Sequence, residues 1–228
     1  MDSKKALEIL LQNIHDIREL ANSENKWILH SIYVGLAARR IAHELHLDED
    51  LALSIGYLHD IGRMFDHKNH VIEGYKYLTK LGYPEIARYC LTHSFVDNII
   101  PNTIGKGPDS KSYELISNYL NSIELNTYDN IVQLCDLFCL ETGFTTFEKR
   151  ILDVTRRKGV FENSATQFAS ILAVKKRVEE AMGKDIYSLF PEIKKEDLDS
   201  REEDKEILLT MFQEKDLNNK TTTKGSIK

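Results

Sequence analysis

Apolar residues recur at helical spacing along most of the chain, with no run of the alternation that marks half-buried strands. Ala6, Ile9, Leu10, Ile14 and Ile17 predict a first helix over 3–20, closed by the polar break Asn22-Ser23-Glu24-Asn25. A second is expected over 26–45. At about 100° per residue, His30 falls on one stripe with Val34, Ala37, Ile41 and Leu45, while His43 and His46 fall on the solvent side with Arg39. The third, over 49–62, is apolar on most sides and therefore central, with Gly62 as its terminator. His70 opens a helix to about 81. Gly82-Tyr83-Pro84 then breaks the chain, with Pro84 in the first turn of the next helix. On that helix His93 shares a face with Ile86, Tyr89 and Cys90.

The stretch 98–112 holds Pro101, Gly105, Gly107 and Pro108 and reads as a solvated loop, with a lid over a site as the alternative. Its Gly105-Lys106-Gly107 lacks the frame of a P-loop. Helices are expected over 113–123, 130–140, 148–158 and 165–182; the second of these is apolar nearly all round and therefore buried. From Lys194 the chain is charged. Ile207, Leu208, Met211 and Phe212 define a last amphipathic helix, free to dock or to join a second copy in a homo-oligomer. Residues 217–228 are polar and expected to be disordered. The pattern predicts an all-α fold: one helical domain over 1–193, then a charged helix and tail over 194–228.

Composition narrows the class. Gly and Pro number only 11 and 4 in 228 residues, which favours helix. A net charge of −6 with no basic tract argues against nucleic acid as the main partner. No apolar run reaches the length of about 18 residues that suggests a membrane span, and the N-terminus leads into amphipathic sequence rather than a signal-peptide core. Three cysteines without a C-x-x-C pair suggest a reducing compartment. The expectation is a cytoplasmic protein.

Against this background a few polar residues stand where burial is expected. His59 and Asp60 close the apolar run of the third helix, and Arg63 follows three places on. Taken alone, such a pair reads first as a salt bridge from Asp60 to Arg63 and a core histidine. Asp136 changes the balance. It sits mid-way in the apolar 130–140 helix with no Lys or Arg within a turn, and a buried carboxylate needs a compensating charge or a metal. Its neighbours Cys135 and Cys139, at helical spacing, read as small core residues. His15 and His67 read as structural or loop histidines.

His30, the pair His59-Asp60, His70, His93 and Asp136 together form a constellation that resembles the HD superfamily of metal-dependent phosphohydrolases. The resemblance runs from about 26 to 141 and includes His30-Ser31 followed by Val34, Ala37 and Ala38, then Leu58-His59-Asp60-Ile61-Gly62-Arg63. It implies His30, His59, Asp60 and Asp136 as ligands of a first metal, with Asp60 able to bridge, and His70 and His93 as ligands of a second. Mixed imidazole and carboxylate ligands suit Fe, Mn, Co, Ni or Zn better than Mg. One or two such ions imply hydrolysis of a phosphate ester or anhydride by metal-activated water, with a small phosphorylated substrate, a nucleotide first among them. Asp60 and Arg63 are the catalytic candidates, Arg63 as a phosphate contact. The HDIG form of the motif usually has Lys at that position, so a point charge is replaced by a planar fork. Gly82-Tyr83-Pro84 does not mark the cyclic-di-GMP phosphodiesterase branch. There the tripeptide follows a paired His-His-Glu, whereas here it precedes His93, which Ser94 follows. Two other classes remain open: an HD-type di-iron oxygenase, which shares scaffold and ligands, and a non-catalytic helical signalling or ligand-binding module.

Overall fold

Two glycines set how closely the central helices approach. In the computed structural model, α2 (Lys26–Glu44) crosses α3 (Glu49–Leu58) with Gly35 against Gly56. A Cβ on Gly56 would lie 2.4 Å from Cα of Gly35 and 2.5 Å from its nitrogen, so only the bare backbone fits. Asp48 starts α3 by accepting from the backbone N–H groups of Asp50 and Leu51. The helix is then buried along Ala52–Leu58 and lies between α2 and α1 (Ser3–Leu10), as expected for a central element. Each fully buried residue of the size of Leu58 contributes roughly 1.5–3 kcal/mol through its removal from water.

Three expected boundaries are corrected. The first helix stops at Leu10 rather than 20. Asp16 accepts from the backbone N–H of Arg18 and starts a separate 3-10 turn over Ile17–Ala21, leaving Ile17 exposed. The third helix stops at Leu58 rather than 62, and Ile61–Met64 form a 3-10 turn. Gly62 does not terminate it by a left-handed cap. Its place is a close approach, since a Cβ there would lie 1.9 Å from the His70 carbonyl oxygen. The helix expected over 130–140 is α7 (Thr127–Phe138), and Cys139 lies beyond its end. Cys139–Leu140 (β1) pairs antiparallel with Gly143–Phe144 (β2) instead. Helix propensity cannot report this, because the ladder is a tertiary choice.

Other elements follow the apolar pattern closely: α4 (His70–Lys80), α5 (Pro84–Thr92), α6 (Ser110–Asn121), α8 (Phe147–Lys158) and α9 (Ser164–Met182). An additional short helix is α10 (Lys195–Asp199), and α11 (Arg201–Lys224) corrects the tail, running on as helix through 217–224 where the polar sequence predicts disorder. The expected all-α architecture is observed, with the two-residue strand pair as the only sheet among the described residues. Residues 1–100 and 110–224 are described, with side chains over 1–100 and 112–215. The Gly105-Lys106-Gly107 loop and the side chains of the tail expected to be disordered lie outside these. The main core runs from Ala6 to Phe212, and a smaller cluster of Val71, Ile72, Leu91, Phe95, Ile100, Ile116 and Leu120 seats α6 on α4 and α5. Leu208 and Phe212 are buried, so α11 docks against the body through α8. No helix among the described residues is long and apolar enough to cross a membrane.

Gly56→Ala forces backbone apart where no side chain can yield. We expect a loss on the order of 1–3 kcal/mol, or about 2–12 °C in melting temperature for a domain of this size. Thermal unfolding followed by circular dichroism measures it; an unchanged midpoint would show that the crossing can open without cost.

Candidate metal centre

Five elements deliver side chains to one point. His30 comes from the second turn of α2. His59 caps the C-terminal end of α3, and Asp60 follows it in the turn. His70 is the first residue of α4, brought near by the contact of Gly62 with its carbonyl. His93 caps the C-terminal end of α5, and Asp136 lies in the last turn of α7. Three overlapping groups have ligand atoms within 4.8 Å of one another: His30, His59 and Asp60; His59, His93 and Asp136; Asp60, His70 and His93. All six metal-ligand candidates of the sequence therefore meet. His15, His43, His46 and His67 are exposed and stay outside, as helical phase requires for His43 and His46.

The imidazoles are oriented alike. In every case Nδ1 faces a backbone carbonyl: His30 toward Cys139 at 3.1 Å, His59 toward Gly56 at 2.7 Å, His70 toward His67 at 3.1 Å and His93 toward Tyr89 at 3.1 Å. A carbonyl only accepts, so each Nδ1 carries the proton and, in the neutral ring, each Nε2 presents a lone pair. These lone pairs point at carboxylates. His30 Nε2 is 2.9 Å and His59 Nε2 3.7 Å from Asp136 Oδ1. His59 Nε2 is also 3.7 Å from Asp60 Oδ2, while His70 and His93 reach Asp60 Oδ1 at 3.2 and 3.5 Å. Yet His59 Nε2, His70 Nε2 and Asp60 Oδ1 are buried without a hydrogen bond. Acceptors facing acceptors, buried and unsatisfied, fit a cation between them.

Charge points the same way. Asp60 is only 2% exposed. Burial pushes its carboxyl up, but Arg63, with His59, His70 and His93, outweighs burial and holds it well below the usual range. Asp136, 28% exposed, is likewise raised by burial but held low by His30 and His59. Burial is the main cause that pushes His70 down to about 4, leaving it neutral with its lone pair free at pH 7. Arg63 does pair through Nε with Asp60 Oδ2, which is the structural salt bridge the local sequence suggested. That pair answers only one carboxylate oxygen. The rest of the Arg63 fork makes no further hydrogen bond among the described residues, and its side chain is 30% exposed.

Three nearby residues are not among the candidates the sequence offers for the site. Ser94 Oγ lies 2.9 Å from His93 Nε2. Partial burial, then the charges of Arg157, Arg63 and Arg150, lowers the pKa of Lys158, so cations from α8 share the field of Arg63. Nothing in the spacing of α8 marks them: Lys158 lies in the last turn, where basic residues are common for their favourable dipole interaction, and Arg150 lies in the first.

Residues 27–139 match the family described as HD domain. This chain carries an HD domain. HD domains form a superfamily of metal-dependent phosphohydrolases, and the converging histidines and aspartates lie within the matched residues. The HD-bearing chain is 32% identical over 107 residues to Ribonuclease Y of Lactobacillus acidophilus, covering 41% of this chain and 20% of that protein. Ribonuclease Y of Lactobacillus gasseri and of Lactobacillus johnsonii are each 31% identical over 108 residues, 42% of this chain and 20% of theirs. The chain thus spans about a fifth of the length of the curated relatives it matches. No solved structure shows significant similarity to it.

His30→Ala is expected to lower the metal content of the reconstituted protein, while His43→Ala and His46→Ala leave it at the wild-type level. Elemental analysis after desalting decides. Equal depletion by His43→Ala would contradict the geometry, since His43 Nδ1 is engaged with Glu49 at 2.7 Å on the outer face of α2.

Proposed function

We propose that this HD domain hydrolyses a phosphate ester or anhydride of a small phosphorylated molecule, a nucleotide first among them. The observation that carries the reading is the set of four imidazoles. Each is anchored through Nδ1 to the backbone, and the Nε2 atoms converge on two carboxylates, the buried Asp60 and the partly buried Asp136. In this reading His30, His59, Asp60 and Asp136 hold one divalent transition metal, and Asp60, His70 and His93 a second. Asp60 would be shared by the two, its Oδ2 facing His59 and its Oδ1 facing His70 and His93. Such ions supply a water of lowered pKa and charge stabilisation for the phosphoryl oxygens.

The residues of the chain do the rest. The two carboxylates outnumber the one guanidinium that pairs with them, so the cluster favours cations. Arg63, held by Asp60 through Nε, turns the remainder of its fork to a phosphate oxygen; Arg and phosphate match in this bidentate way. In this reading residues 1–193 are the hydrolase unit and 194–228 an appended segment that seals on α8 through Leu208 and Phe212.

The relatives named Ribonuclease Y favour a second reading, in which the scissile phosphate belongs to an RNA strand. Lys158, whose charge interacts with that of Arg63, supports a substrate with more than one phosphate in either case. The net charge of −6 weighs toward the small substrate. Phosphate release from a panel of nucleotides, read beside cleavage of short single-stranded RNA, with Mn, Fe, Co and Ni supplied in turn, separates the two. Folded, metal-loaded protein inert toward both would overturn the assignment.

Arg63→Ala is expected to keep the metal and lose about 2–4 kcal/mol of transition-state stabilisation, roughly 30- to 1000-fold in rate. Arg63→Lys should recover part of it. If Arg63 served only to neutralise Asp60, the melting temperature would fall while turnover per folded molecule stayed intact. Melts and steady-state kinetics on one preparation distinguish these outcomes.

A further inference from the structure

The four ring nitrogens that face the centre are not equivalent. His59 and His70 leave Nε2 without a hydrogen bond, and His30 Nε2 faces Asp136. His93 Nε2 instead takes a partner from outside the six ligand candidates, the hydroxyl of Ser94 at 2.9 Å. The direction of that bond follows from the other side of the ring. Nδ1 is 3.1 Å from the Tyr89 carbonyl and must donate, so Nε2 accepts in the neutral imidazole and Ser94 Oγ–H is the donor. The hydroxyl therefore uses the lone pair that a metal at Asp60, His70 and His93 needs.

We propose that Ser94 is a built-in competitor for this second metal position, and that it makes this position the weaker, exchangeable one. The inference rests on the reading that Asp60, His70 and His93 hold the second ion. One imidazole nitrogen has one lone pair in the ring plane, which cannot bind a hydroxyl proton and a metal together. Metal entry at His93 must break the Ser94 bond, whereas entry at His59 breaks none. A hydrogen bond of ordinary net strength corresponds to about 2- to 12-fold in affinity. The two positions therefore fill in order as metal rises, and the second follows the free metal concentration. Serine next to the ligand histidine thus converts a nominal two-metal centre into one firm site and one adjustable site.

Calorimetric titration of the chelator-stripped full chain with Mn²⁺, with stoichiometry checked by elemental analysis, tests this without reference to activity. Wild type should show a tighter and a weaker step. Ser94→Ala should tighten the weaker step by about 2- to 12-fold and leave the tighter one unchanged. Ser94→Gly, a second deletion of the hydroxyl, should do the same, and Ser94→Thr should keep the wild-type value. Melting of each metal-free variant confirms that it is folded. An unchanged or weakened second step in both deletions would overturn the competitor role; so would a single step in all variants. His93→Ala is the control for the underlying reading. If it leaves both steps intact, or if wild type binds no metal at all, the metal assignment fails rather than the role of Ser94.

Discussion

A carboxylate buried in the middle of a helical bundle has to be answered by charge, and the surroundings of Asp60 are organised by that demand. An uncompensated charge in the interior costs several kcal/mol even after relaxation. Arg63 answers Oδ2 at short range. Oδ1 has no such partner and faces two imidazoles that are themselves acceptors. A structural ion pair and a ligand site are thus not alternatives at this residue: Arg63 holds Oδ2, which also faces His59, and Oδ1 is left to His70 and His93. Asp136 stands in the last turn of a buried helix with no cation near it in sequence. His30 and His59 face it instead.

Much of the site was readable because helical phase persists over long elements. In α2, 19 residues long, a fixed rotation per residue separates His30 from His43 and His46 without tertiary knowledge. Asp136 was marked by residue type alone, a charge among apolar neighbours. The ends of elements were not readable. The stop of α3 at Leu58 depends on the approach of Gly62 to the His70 carbonyl, a contact between segments that no local pattern encodes. The end of α7 depends on Cys139 pairing with Phe144, and the break after Leu10 on a single capping aspartate.

The second layer around the ligands was hidden for a related reason. The partners that orient the rings are backbone carbonyls of Gly56, His67, Tyr89 and Cys139, and a carbonyl has no letter in a sequence. Cys139 illustrates the point. The sequence suggests a small core residue, which its buried thiol is; the contribution to the site comes from its main chain, turned toward His30 by the strand pair.

Where the helices stop has an electrostatic consequence of its own. His59 and His93 cap the C-terminal ends of α3 and α5, and Asp136 lies in the last turn of α7. Each such end carries the equivalent of about half a negative charge from its aligned peptide dipoles. Three of them meet at the cluster, while α4, entering at His70, presents a positive end. The backbone itself therefore draws cations to this point before any side chain is counted. Three negative poles make the place hostile to an anion unless a cation is held there, and the positive end of α4 tempers that field on the side of His70.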